Sequence, residues 1–182
     1  TAEGRSAGDA LLAGEAWTAG EPLVAVAPGA AFGTAKRWPA ASFAAVIDGL
    51  AGDGVRAVLV GSAADRPAGD DVLAASKSGR RAINLIGRTD LAALSGVLLR
   101  CRALLTNDSG AMHFAAALGV NTAAMIGPTR ERETAAVGAG RHEILQHPVW
   151  CRPCMLRDCP LTHRCMTGIR SDRVLAVTRA FL

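Results

Sequence analysis

The chain reads as a doubly wound α/β domain with a parallel, Rossmann-like sheet. Short apolar runs recur along it, each is followed by a glycine or a polar loop, and helical stretches of ordinary length separate them. The runs are LVAVAPG (Leu23 to Gly29), VRAVLVG (Val55 to Gly61), AINLIG (Ala82 to Gly87), RALLTND (Arg102 to Asp108) and NTAAMIG (Asn121 to Gly127). They are continuously apolar rather than alternating, the pattern of strands covered on both faces. Five strand–helix alternations then predict helices on both sides of a parallel sheet.

The helices follow in order. Residues Ala40 to Leu50 form a helical stretch after the first loop, and Asp70 to Lys77 form a weaker one. Asp90 is placed as the N-cap of LAALSGVLL. A further helix runs from about Gly110 to Leu118. Past Gly127 the rhythm changes to a loop, a short strand near Glu143 to Gln146, a cysteine-rich segment and a terminal helix from about Ser171. Residues 1–22 are expected to be a linker or a leading helix, and residues 23–182 a single Rossmann-like domain.

Composition narrows the function classes. The 182 residues suffice for one well-buried domain, and 50% are hydrophobic against 20% charged, the balance of a globular chain rather than a disordered one. No apolar run approaches the ~20 residues that span a bilayer. Acidic residues interrupt the first twenty positions, which therefore do not read as a signal peptide, and a soluble cytoplasmic protein is expected. The net charge of +4 suits an anionic ligand or an anionic membrane face. Nucleic acid is not expected as a partner, because aromatics do not interleave with the basic residues.

In this fold class ligands sit at the carboxyl ends of the strands, so the loops there carry the chemistry. The first, PGAAFGTAKRWP (Pro28 to Pro39), has Gly29 and Gly33 for close backbone approach to an anion and Lys36 as a cation on its rim. It is neither a P-loop nor a dinucleotide fingerprint, and a glycine-rich turn with a surface lysine is the plainer alternative. The second, TNDSGAMHFAAALG (Thr106 to Gly119), puts Asp108 at a strand end. Ser109 and Gly110 follow where a helix N-terminus favours phosphate oxygens. Here the plainer alternative is that Asp108 or Ser109 only caps the helix. His113, one turn on, could support Asp108, touch the ligand, or be merely structural. Asp65, Thr89 and Thr129 lie in the other loops on this edge.

These segments, with GPTRERET after the fifth run and CRPCMLRDCPLTHRCM near the end, closely resemble the bacterial lipopolysaccharide heptosyltransferases of glycosyltransferase family 9, especially the type II enzymes. The resemblance spans about Leu23 to Leu182. It implies the C-terminal half of a two-domain GT-B enzyme, holding ADP-heptose. The acceptor, the lipopolysaccharide inner core, and the general base would then belong to an N-terminal domain outside this sequence. It further implies that Lys36 contacts diphosphate and sugar, and that Asp108 lies near the heptose hydroxyls. Ser109 and Gly110 would receive phosphate, His113 would follow within the helix, and Asp65 would meet the ribose. Where some relatives have two threonines before the lysine, this chain has Ala31 and Phe32, so contacts there would come from backbone amides. The implied transfer is an inverting displacement that needs no cofactor, at a location that includes the inner face of the cytoplasmic membrane.

Two alternatives stay open: a transferase of the same fold with another nucleotide-sugar or acceptor, and a non-catalytic nucleotide- or metal-binding module. The second draws on Cys151, Cys154, Cys159 and Cys165, whose spacing could supply four ligands to a structural metal but lacks the usual long spacer. Free, partly buried thiols are the plainer reading.

Overall fold

The computed structural model describes residues 2–182. Six parallel strands form one sheet: β1 (Leu23–Ala27), β2 (Arg56–Leu59), β3 (Ile83–Asn84), β4 (Cys101–Asn107), β5 (Asn121–Met125) and β6 (His142–Leu145). Their spatial order is β3-β2-β1-β4-β5-β6, the strand order of dinucleotide-binding folds. The expected doubly wound sheet is therefore present, with β6 as a sixth strand paired in parallel to β5.

Side chains of β1 alternate between the two faces, and all five are buried. Val24 and Val26 point to the layer formed by α2 (Ala40–Gly52), α3 (Arg66–Ala75) and α8 (Ser171–Arg179), where Phe43, Ile47, Val72 and Val174 pack. Leu23, Ala25 and Ala27 point to the opposite layer, formed by α1 (Ala2–Gly14), α4 (Leu91–Leu98) and α5 (Gly110–Ala117), through Leu12, Val97 and Ala115. Two short helices, α6 (Glu131–Thr134) and α7 (Arg164–Thr167), complete the chain. With few aromatics, the first layer is anchored by the edge-to-face pair of Trp38 and Phe43, 4.9 Å between ring centroids. Such a pair adds about 0.5–1.5 kcal/mol beyond the area it buries.

The leading residues are helical and built into the domain. α1 lies against α4 so closely that a Cβ on Gly8 would come within 2.5 Å of the Gly96 carbonyl carbon, and one on Gly96 within 2.0 Å of the Gly4 carbonyl oxygen. Asp90 caps α4 as expected, its carboxylate accepting from the Ala93 amide at 2.7 Å. Two elements differ from expectation. α3 begins at Arg66 rather than near Asp70, because Pro67 takes the first turn and Ser62 with Asp65 closes a capping box just before it. β3 pairs over only two residues of the Ala82–Gly87 run. Beyond Asn84 the chain turns, with the Asn84 side-chain oxygen accepting from the Ile86 amide at 3.1 Å, while Leu85 and Ile86 stay buried as core.

Candidate functional site at the strand crossover

The chain leaves β1 toward β2 on one side and returns to β4 on the other, so the loops after β1 and β4 diverge and leave a crevice. The cleft there measures about 570 Å³ and is bordered by Gly29, Ala31, Asp65, Thr89, Ser109 and Gly110, together with an apolar wall that includes Leu94 and Phe114. Six of the residues singled out from the sequence thus share one cavity.

The β1 loop is held in place by a residue the sequence reading passed over. Asn107, wholly buried at the end of β4, accepts from the Trp38 amide at 2.9 Å and donates to the Pro28 carbonyl at 2.8 Å. One side chain thereby pins both ends of the loop that carries Lys36. Its signal was its place inside TND, directly before the aspartate.

Lys36 and Asp108 meet. The ammonium lies 2.7 Å from Asp108 Oδ2, with side chains only 14% and 5% exposed, so Lys36 is not a free rim cation. Thr129, buried in the β5 loop, donates to the same carboxylate oxygen at 2.6 Å. The Lys36 ammonium also stands 5.2 Å from the centre of the Phe32 ring, and the Phe32 carbonyl oxygen accepts from Arg157.

Neither Asp108 nor Ser109 caps α5. Ser109 occupies the N-cap position in extended conformation, but its side chain makes no capping bond, and its hydroxyl faces Thr106 Oγ1 at 3.0 Å. The helix-cap alternative for these two residues therefore fails. The first-turn amides of α5 are left without a side-chain acceptor, as an anion would require.

Asp65 has structural work in the same place. Its Oδ2 accepts from the Ser62 amide at 2.9 Å and from the Ser62 hydroxyl at 2.8 Å. Its other oxygen presses on Gly29, where a Cβ would lie only 2.0 Å from it. Glycine is required at that point because a carboxylate occupies the space. His113 stands apart from this group: it is exposed on α5, and its side chain makes no hydrogen bond among the described residues.

The cysteine segment braces the β1 loop at Thr34 and Ala35. Arg157 O accepts from the Ala35 amide at 2.9 Å, Asp158 accepts from the Thr34 hydroxyl at 2.6 Å, and His163 Nε2 faces the Ala35 carbonyl at 2.7 Å. The hydroxyl and amide of Thr34 together hold the Asp158 carboxyl below the usual carboxylate range. Among the described residues, no three His, Cys, Asp or Glu side chains are grouped as ligands for a metal ion as they stand. Among the described residues, no helix is long and apolar enough to cross a membrane.

Comparison with known proteins agrees with this architecture. The chain is 44% identical over 110 residues to lipopolysaccharide heptosyltransferase 2 of Salmonella typhimurium, covering 59% of this chain and 32% of that protein. It is 29% identical over 165 residues to lipooligosaccharide heptosyltransferase 2 of Campylobacter jejuni, covering 90% and 52%. The solved structure of Escherichia coli ADP-heptose LPS heptosyltransferase II superposes with a TM-score of 0.81 at 29% identity, over 97% of this chain and 51% of that one. The chain thus spans between about a third and a half of the length of these relatives. Residues 4–164 match the family pattern of glycosyltransferase family 9 (heptosyltransferase), and the chain belongs to that family.

Proposed function

We propose that this chain is the donor-binding half of an inverting GT-B glycosyltransferase that moves heptose from ADP-heptose to the lipopolysaccharide inner core. The observation that carries the reading is the Lys36–Asp108 pair, with Asp108 directly preceding Ser109 at the uncapped N-terminus of α5. A diphosphate fits there because the α5 amides favour phosphate oxygens and Lys36 adds a positive charge within reach. The same groups stabilise the charge that grows on ADP as the anomeric bond breaks. Asp108, fixed by Thr129 and Lys36, is placed to accept from sugar hydroxyls. Asp65 retains one oxygen outside the capping box for a ribose hydroxyl, and Thr89 with the wall of Leu94 and Phe114 flanks the base. The acceptor and the general base belong to the other half of the enzyme, which works at the cytoplasmic face of the inner membrane.

Calorimetric titration of the chain with ADP, UDP and GDP tests this reading. ADP is expected to bind at least tenfold more tightly than the other two, a difference of about 1.4 kcal/mol. Equal binding of the three would remove the adenine assignment.

A further inference from the structure

The long segment between β6 and α7 has no helix or strand of its own from residue 146 to residue 163. Loops of this length inside compact domains are uncommon without a function or a staple. This one is nevertheless tied to both loops that frame the Lys36–Asp108 pair. Arg157 O, Asp158 and His163 hold residues 34–35, while the Met155 amide donates to the Pro128 carbonyl at 3.0 Å and Arg152 donates to the Gly127 carbonyl. The donor loop therefore depends on a strap that is not itself held by regular structure.

Four cysteines are spaced along that strap. Cys151, Cys154, Cys159 and Cys165 all border one cavity of about 220 Å³, and none of the four thiols makes a hydrogen bond among the described residues. We infer that these four cysteines form a structural metal site for a single thiophilic ion, zinc(II) or iron(II), which fixes the strap against the donor loop.

The chemistry suits such an ion. Four sulfur donors from one short segment match the tetrahedral all-thiolate sites that hold zinc or iron. As they stand, the thiols border the cavity without converging, so ligation needs side-chain rotations toward the cavity they share. On binding, each thiol gives up its proton to solvent and the complex carries a net charge of −2 from four thiolates and a divalent ion. Arg152 and Arg164 border the same cavity and offset that charge.

The test begins with metal analysis of the full chain, purified under reducing, oxygen-free conditions without a metal-affinity column. About one zinc or iron per chain is expected. A Cys154→Ser/Cys159→Ser double variant should lose the metal at least tenfold, and Cys101→Ser should keep it. Should the double variant fail to fold, wild-type chain stripped with a chelator serves instead: its four strap thiols should become reactive, and cobalt(II) should restore a tetrahedral thiolate spectrum. A folded wild-type chain that holds no stoichiometric metal and binds no cobalt overturns the inference. So does metal retained by the folded double variant, or two disulfides found in the native chain. None of these readouts depends on nucleotide. The expected weakening of ADP binding after stripping does rest on the donor reading, so its failure alone would count against the coupling and leave the metal content as a separate result.

Discussion

Removing Lys36 should damage the fold as well as the site. The carboxylate of Asp108 is 5% exposed and has two partners, Lys36 and Thr129. Lys36→Ala leaves it with one hydroxyl donor and the nearby start of α5. Breaking a fully enclosed ion pair by deleting one partner costs about 3–5 kcal/mol. Here Lys36 is 14% exposed, and Thr129 and the helix dipole remain, so about 1.5–3 kcal/mol is expected. For a chain of this size that corresponds to a fall in melting temperature of roughly 3–12 °C. Thermal melts of Lys36→Ala, Asp108→Asn and the double variant at neutral pH provide the cycle, and a coupling of at least about 1 kcal/mol is expected. ADP titration of the same proteins separates the two halves of the argument. Lys36→Ala should weaken ADP by about 1.5–3 kcal/mol, the scale of a charge-assisted hydrogen bond. Asp108→Asn should leave ADP affinity unchanged or slightly improved, because it removes a negative charge beside the diphosphate. In the complete enzyme the same variant should lower turnover tenfold or more. Additive melts within about 0.5 kcal/mol of wild type, with unchanged ADP affinity, would return Lys36 to an ordinary surface lysine.

Other positions give independent checks. Asn107→Leu strands the Trp38 amide and the Pro28 carbonyl, so denaturant unfolding should show a loss of about 2–6 kcal/mol, at about 1–3 kcal/mol for each buried group left unpaired. Gly29→Ala forces the Asp65 carboxylate to move, since the new Cβ would sit 2.0 Å from its oxygen. ADP affinity should fall at least tenfold while the Asp65 capping box loosens by about 1 kcal/mol. Cys101 is buried, and burial pushes its thiol up to about 12 against a backbone hydrogen bond from Ala25. It should resist alkylation in the native chain and react only on unfolding. The thiol stays protonated in the folded state while the unfolded thiol ionises near its ordinary value of 9.0. This contribution is therefore complete below about pH 9 and is lost toward pH 12, at up to about 1.4 kcal/mol per pH unit. Alkaline unfolding compared between wild type and Cys101→Ala measures it.

What the sequence made visible were local patterns with a short physical reach. Continuous apolar runs identify strands buried on both faces because each residue reports its own environment, and an aspartate ahead of an apolar helical run identifies Asp90 as a cap. β3 escaped because Leu85 and Ile86 are as apolar as strand residues while lying outside the ladder. At the site, the residue types were legible and their partnerships were not. Lys36 and Asp108 are 72 positions apart, Trp38 and Asn107 are separated by 69, and Ala35 and His163 by 128. No periodicity encodes such pairings. A lysine after a glycine-rich strand-end loop looks like a rim cation until the fold supplies its counter-charge. The capping reading of Ser109 failed on a local contact instead, since Thr106, three residues back on the preceding strand, draws its hydroxyl aside.

The pairing also explains why a carboxylate stands where an anion is expected to bind. A solitary lysine on a loop would keep the rotamer freedom of its four-carbon stem, and fixing that freedom would subtract up to about 2 kcal/mol from any phosphate contact. Asp108 removes that cost beforehand by holding the ammonium in a fixed position with Thr129 behind it. An ammonium has three donors, so one can remain with Asp108 while another turns to a phosphate oxygen. Because Lys36 and Asp108 together are neutral, the attraction for the diphosphate comes mainly from the unshared amides of α5 and from the direction of the Lys36 charge. Such an arrangement gains little in ground-state affinity. It gains more when negative charge builds up on a departing diphosphate, the moment at which a pre-positioned cation needs no reorganisation.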